Sequence, residues 1–296
     1  MHNKAYHIFT HKDLDGAVSL LTFIWAMPDA VISYEEITNF EIFKIKEFIN
    51  KTINPPNIVI MDLSIRDEFI PDLDKKFITI IDHHERSLPL VNKFKNAKIL
   101  HKDFTSNSLL VRKLLQDKSP NLSESQKKLI LFADDYDCSN LKHPESYDLN
   151  ILFWNQFKNK FPEFIKTYMN GFFKFTENQK NIIFNVKQKV KNDAESIKCF
   201  TGKVKINSEY KTAIAISVEK ADVLIIDYLM DKFKSDLFIC INTKTEKLSI
   251  RQKKSNDPLD LKYFCEKYCE GTSNKFSGVG KLNPLFLELT KNFIPL

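Results

Sequence analysis

The sequence predicts an α/β protein of two domains, a larger N-terminal one built on a parallel sheet and a smaller C-terminal α/β one, joined by a long helix. Three observations predict it. As far as residue 82, apolar extended runs alternate with helical patterns, as a parallel sheet covered by crossover helices requires. From Ser106 to about Lys198 the patterns are helical. Strand signals then return beyond Thr201-Gly202, marking a second sheet. The boundaries fall at 1–175 for the first domain, 176–200 for the helical connector and 201–296 for the second domain.

In order, Ala5–Thr10 reads as a strand, Gly16–Met27 as a helix, Val31–Tyr34 as a short strand and Phe40–Lys51 as a helix. Asn57–Asp62 and Phe77–Asp82 are nearly continuous Ile/Val/Phe runs, the composition of strands buried on both faces. Helical spacing follows over Ser106–Gln116. Ser123-Glu-Ser-Gln126 has the spacing of a capping box and opens a helix ending near Asp134–Asp137. Leu149–Lys158 and Glu163–Met169 are helical, and Thr176-Glu-Asn-Gln179 is a second capping box opening the long connector helix. The last hundred residues give strands at Val204–Ile206, Thr212–Ser217, Leu237–Asn242 and Lys247–Gln252, and helices at Ala221–Phe233 and Asp260–Cys269. Three of the six glycines lie in Gly271–Gly280, which reads as a glycine-rich loop.

Composition narrows the class of function. The 296 residues are 43% apolar, with 25 phenylalanines, enough for two cores. The formal charge of +6 is a mild basic excess, compatible with an anionic substrate but too small to define a nucleic-acid binder. The five cysteines are an odd number, and only Cys265 and Cys269 lie close, without metal-ligand spacing. They read as reduced thiols, which excludes a disulfide scaffold. The N-terminus lacks the pattern of an export signal, and no apolar run reaches the ~18 residues needed to cross a bilayer. A soluble cytoplasmic protein without membrane partners is expected.

The chemistry lies at the ends of the apolar runs. His11, Asp13 and Asp15-Gly16 follow the first run, Asp62 the third and Asp82-His83-His84 the fourth. In an open parallel sheet the carboxyl ends of the strands line one crevice, so these groups should converge. Taken singly, each has a plainer role: Asp15 could cap the following helix with Asp13 solvated, and Asp62 could be a turn residue. Adjacent His83 and His84 can serve one site only if the chain leaves strand geometry there. Asp134, Asp135 and Asp137 crowd a helix C-terminus, where the dipole disfavours carboxylates unless a cation compensates them. Such a donor set suits Mn²⁺ or Mg²⁺ better than zinc. A pair of ions about 3.5 to 4 Å apart, bridged by Asp62, would be equipped for attack on phosphorus.

The ordered set His11-x-Asp13-x-Asp15-Gly16, Asp62, Asp82-His83-His84 and the acids at 134–137 resembles the four motifs of the DHH phosphoesterase superfamily. The C-terminal part resembles its DHH-associated substrate-binding domain through Leu248-Ser-Ile-Arg251, the helix from Asp260 and the glycine-rich Gly271–Gly280. The resemblance implies two Mn²⁺ ions, with Mg²⁺ as the alternative, held by His11, Asp13, Asp15, Asp62 and His83, Asp62 being shared. It implies that His84 contacts the scissile phosphate while Asp82 orients the histidines. Asp135 is the implied fourth-motif ligand, with Asp134 as its alternative. In the second domain it implies substrate binding by Arg251, Gly278 and Gly280, with Asn274 or Lys275 where the family carries a histidine. Lys and Arg outnumber Asp and Glu nine to five over residues 244–281, in keeping with a phosphate-gripping lobe.

By this resemblance the expected activity is hydrolysis of very short oligoribonucleotides or cyclic nucleotides to nucleoside monophosphates. The alternatives are a RecJ-like single-strand exonuclease, a 3′-phosphoadenosine 5′-phosphate phosphatase, a pyrophosphatase and a non-catalytic nucleotide-binding regulator. No obligate protein partner is expected, and a homodimer is compatible with the sequence.

Overall fold

The structure, a computed structural model, describes residues 5–118, 121–138, 141–206, 209–219, 223–252, 261–268, 272–273, 277–281, 288 and 291–296. Two compact units divide the chain, Met1–Ile183 and Phe184–Leu296.

The N-terminal unit is an α/β layer structure. Its strands are β1 (Tyr6–His11), β2 (Val31–Ile37), β3 (Asn57–Met61), β4 (Ile78–Asp82) and β5 (Lys98–His101). All pair in parallel, in the order β2-β1-β3-β4-β5. The chain steps from β1 outward to β2, then crosses over β1 to lay β3 on its other side. That reversal is a topological switch point, and it opens a crevice beyond the carboxyl ends of β1 and β3. Both faces of the sheet are dry, as the continuous apolar runs demand. Phe9, Ile58, Ile60, Ile78 and Ile80 pack on one face with Ile45 of α2 (Phe43–Lys51) and Leu73 of α3 (Ile70–Leu73). Ile8, Val59, Met61 and Ile81, one residue out of phase, are buried on the other. Each such side chain stabilises the fold by roughly 1.5–3 kcal/mol. α1 (Leu14–Ala26), α4 (Asn107–Leu114) and α5 (Glu124–Asp137) pack together.

Further along the chain come α6 (Pro144–Gln156), α7 (Phe161–Thr167) and α8 (Glu177–Ser196). Both sequence-predicted capping boxes form: Ser123 with Gln126, and Thr176 with Gln179. The division between units falls inside α8. Its first turns belong to the N-terminal unit, where Gln179 Nε2 donates to Tyr168 Oη at 3.4 Å. Its last turns belong to the second, where Ala194 packs against Cys199, Ile214 and Phe238.

The C-terminal unit is built on a mixed sheet ordered β10-β11-β9-β8-β7-β6-β12. Its elements are β6 (Cys199–Ile206), β7 (Glu209–Val218), α9 (Val223–Phe233), β8 (Leu237–Asn242), β9 (Lys247–Gln252), α10 (Leu261–Tyr268), β10 (Thr272–Ser273), β11 (Ser277–Lys281) and β12 (Ile294–Pro295). β7 and β8 run parallel, and the other pairs are antiparallel. One face, including Val204, Ala213, Leu237, Ile239 and Ile250, packs on Leu261, Phe264 and Cys265 of α10. The opposite face packs on Ile226 and Leu229 of α9.

Part of the glycine-rich segment is strand rather than loop. Gly278 pairs with Ile250 on one side and Ser273 on the other, and Gly280 pairs with Leu248. A backbone held between two strands has its polar groups committed to the sheet and is not free to wrap an anion. Asn274 and Lys275 lie outside the described residues. So does Cys269, while Cys138, Cys199, Cys240 and Cys265 are free thiols. Among the described residues no helix is long and apolar enough to cross a membrane.

Candidate metal centre

The first motif is shaped by Gly16. A Cβ there would lie 2.1 Å from the His11 carbonyl oxygen, so only glycine lets α1 start this close to the end of β1. Asp13 is the N-cap of α1, its Oδ1 accepting from Gly16 N at 2.9 Å. Its Oδ2 lies 2.5 Å from His11 Nδ1. The plainer expectation is thus reversed: Asp13 caps the helix, and Asp15 is buried. Asp15 receives the backbone N–H of Asn107 at 2.7 Å and of Ser108 at 3.0 Å, one on each carboxylate oxygen. These donors are the first turn of α4, where unpaired N–H groups favour an anion.

Asp62 follows β3 with a backbone φ of 60°, in the left-handed region that non-glycine residues seldom adopt. This turn carries its carboxylate into the crevice, and the residue is almost fully buried. Its two oxygens face different partners. Oδ1 lies 3.5 Å from His83 Nε2 and 3.8 Å from His84 Nδ1, whereas Oδ2 lies 4.0 Å from His11 Nδ1. Strand geometry ends at Asp82, which lets both adjacent histidines turn toward this acid.

Asp82 and Ser87 fix His84. Asp82 Oδ1 lies 2.7 Å from His84 Nδ1, and its Oδ2 accepts from the Ser87 hydroxyl. His83 is held otherwise: its Nδ1 lies 3.2 Å from the Phe104 carbonyl oxygen. The expectation that Asp82 orients both histidines is corrected, since its carboxylate is taken up by His84 and Ser87. A carbonyl only accepts, so the His83 Nδ1 carries the proton and Nε2 keeps its lone pair toward Asp62 and Asp137, the tautomer a metal ligand needs.

The fourth motif is also corrected. Asp135 is buried, accepting from Lys142 N and His143 N at 3.0 Å each and from the Ser146 hydroxyl at 2.7 Å. It anchors the start of α6. Asp137 is the acid that joins the cluster, with Oδ2 3.7 Å from His83 Nε2. Helix phase explains the difference. Asp137 lies four residues after Ala133 and seven after Ile130, while Asp135 follows Phe132, whose ring meets His143 of the α6 N-terminus. Asp134 accepts from the Thr105 hydroxyl at 2.5 Å.

Three groups of ligand atoms each lie within 4.8 Å of one another: His11-Asp13-Asp62, Asp62-His83-His84 and Asp15-His83-Asp137. Their electrostatics are strained. Burial, and then the charges of Asp13, Asp15, Asp137 and Asp82, push the Asp62 carboxyl well above the usual carboxylate range. Burial likewise raises Asp15. Burial opposes ionisation of Asp13 and Asp82 too, but the hydrogen bond and charge of His11 hold Asp13 low, and those of His84 hold Asp82 low. Burial would lower His11, yet the Asp13 hydrogen bond and the surrounding acids raise it. Packed carboxylates that repel one another around imidazole donors are relieved by a divalent cation, so the donor set fits one. Arg251 belongs to the other unit, where its Nη1 donates to Asp227 of α9 at 2.8 Å.

Comparison with known proteins gives the fold. No family model and no curated protein matches the sequence. The DHH domain of an archived ribosomal-protein family member is 13% identical, with a TM-score of 0.63 over 95% of this chain and 83% of that one. RecJ of Thermus thermophilus in complex with Mn²⁺ is 8% identical, with a TM-score of 0.57 over 97% of this chain. This chain spans 50% of that RecJ. A further exonuclease RecJ bound to manganese is 10% identical, with a TM-score of 0.50 over 97% of this chain and 88% of that one. The chain therefore has the fold shared by the DHH domain and RecJ.

Proposed function

We propose that the protein is a metal-dependent phosphoesterase that cleaves very short oligoribonucleotides or cyclic nucleotides to nucleoside monophosphates, using two Mn²⁺ ions with Mg²⁺ as the alternative. The observation that carries the reading is Asp62 at the sheet's switch point, one oxygen turned to His83 and His84 and the other to His11. A shared carboxylate needs that arrangement, and the fold likeness to manganese-bound RecJ supports it.

His11, Asp13, Asp15, Asp62, His83 and Asp137 would hold the ions. Bound divalent ions supply a nucleophile at neutral pH and offset charge on the attacking and leaving oxygens. The residues of the chain do the rest. Asp82 keeps the proton of His84 on Nδ1, leaving Nε2 as the atom that can meet a phosphate oxygen or pass a proton to a departing alcohol. Phe104 fixes the His83 tautomer, and the α4 N-terminus fixes the plane of Asp15. Arg251, Asn274, Lys275, Gly278 and Gly280 are assigned to substrate binding by the family resemblance.

A RecJ-like exonuclease is the second reading, favoured by the same fold likeness. The test is Mn²⁺-dependent product release from dinucleotides, 3′,5′-cyclic nucleotides, 3′-phosphoadenosine 5′-phosphate, pyrophosphate and long single strands. Turnover of RNA of two to five residues supports the first reading. Preference for long DNA replaces it with the second, and a metal-loaded protein that cleaves nothing refutes both.

A further inference from the structure

One segment outside every sequence motif touches most of the centre. At the carboxyl end of β5, opposite Asp82 in the β4–β5 register, His101 places Nε2 at 2.9 Å from the His84 carbonyl oxygen. That oxygen can only accept, so the His101 Nε2 bears the proton. The same oxygen accepts from Ser87 N at 2.9 Å. Two donors from different directions therefore fix the peptide between the two histidines and the turn that follows. Three residues on, the Phe104 carbonyl holds the His83 ring, and the first N–H groups of α4 hold Asp15. Asn107 also donates from Nδ2 to Ser19 of α1 at 3.0 Å, and Ser106, Asn107 and Ser108 are buried. The junction from β5 to α4 is thereby tied to β4 and to α1 at once.

We infer that His101 is a positioning residue for the His83–His84 pair, acting through the His84 carbonyl without touching ion or substrate. The inference rests on the reading of the site as a metal-dependent phosphoesterase. Its physical content is specific. The His84 ring is set at one end by Asp82, and its backbone is set at the other by Ser87 and His101. Without the imidazole donor, the backbone that carries the two rings loses one of its two anchors, and the rings lose their shared orientation. Partners of this kind typically change metal affinity or activity by about 10- to 100-fold.

Two full-length variants test the inference. His101→Gln carries an N–H donor at nearly the reach of Nε2, and His101→Leu fills similar volume without a donor. The measurements are Mn²⁺ affinity by electron paramagnetic resonance, kcat and KM on the dinucleotide panel, thermal unfolding, and ¹⁵N spectra of the histidine rings without metal. The expected result for His101→Leu is weaker Mn²⁺ binding and a kcat lowered about 10- to 100-fold, with KM nearly unchanged. Its His83 and His84 ring signals should move away from single tautomers. His101→Gln should restore affinity and kcat to within about threefold of the parent. Wild-type affinity, kcat and ring signals in His101→Leu would overturn the inference. So would equal losses in both variants that track their melting temperatures, because that pattern belongs to a stabilising contact alone. If the parent protein bound no Mn²⁺, the reading of the site would fall, and the metal-free ring spectra would still decide whether His101 orders the pair.

Discussion

Asp135→Ala and Asp137→Ala should separate two acids that stand two residues apart on one helix. Asp135 is buried and receives two backbone N–H groups and one hydroxyl from the start of α6. Burial works against its ionisation, but the His143 N–H, the Ser146 hydroxyl and the Lys142 N–H win and hold its carboxyl below the ordinary range. Truncation leaves those three donors without their charged acceptor. With about 1 kcal/mol or more for each, the expected loss is about 3–4 kcal/mol. For a unit of this size that is a fall of roughly 6–16 °C in melting temperature. Because the folded carboxyl titrates below the unfolded one, this stabilisation is present above the unfolded pKa and is lost as pH falls through the folded value. The difference between parent and Asp135→Ala should therefore shrink in acid, while Mn²⁺ binding by the folded variant persists. Asp137→Ala should do the opposite, melting within about 2 °C of the parent while losing Mn²⁺ affinity by about 10-fold or more. Calorimetry and Mn²⁺ titration read both. An Asp135→Ala protein that melts like the parent but binds no Mn²⁺ would refute the assignment.

Asp62→Ala should abolish turnover in the panel assay with the fold retained by circular dichroism. Since the Asp62 carboxyl is raised by burial and by four neighbouring acids, its ionisation is opposed in the fold. Its contribution is thus lost as pH rises from the unfolded pKa through the folded one, and in EDTA the Asp62→Asn variant should melt above the parent at neutral pH. Gly16→Ala places a Cβ 2.1 Å from the His11 carbonyl oxygen, and the forced backbone shift should lower stability by about 3 kcal/mol in denaturant titration while weakening Mn²⁺ binding. His7, buried and stacked on Phe48, has its pKa lowered by burial to about 4. Its unfolded form takes up protons first, so stability should fall as pH drops from about 6.5 toward 4, and His7→Phe should flatten that slope.

The parallel sheet was legible because strands buried on both faces must be apolar throughout, and the runs around Ile8, Ile60 and Ile80 declare it. The convergence of His11, Asp13, Asp62, His83 and His84 followed from the same logic, since each stands at a carboxyl end. What escaped was short or tertiary. β5 is four residues at a sheet edge, with only Ile99 and Leu100 to mark it. Asp135 and Asp137 differ in helical phase relative to α6, which is visible only once Phe132 and Ala133 are known to face different neighbours. His101 acts through a backbone oxygen of a distant strand, and no local pattern records that. The strand at Gly278 and Gly280 was hidden because glycine composition signals a loop, while pairing with β9 and β10 overrides that preference.

Crystals grown with Mn²⁺ and measured at the manganese absorption edge test the central claim most directly. The account predicts anomalous peaks bounded by His11, Asp13, Asp15, Asp62, His83 and Asp137, with Asp62 touching more than one of them. Peaks elsewhere, or none at saturating Mn²⁺, would contradict it.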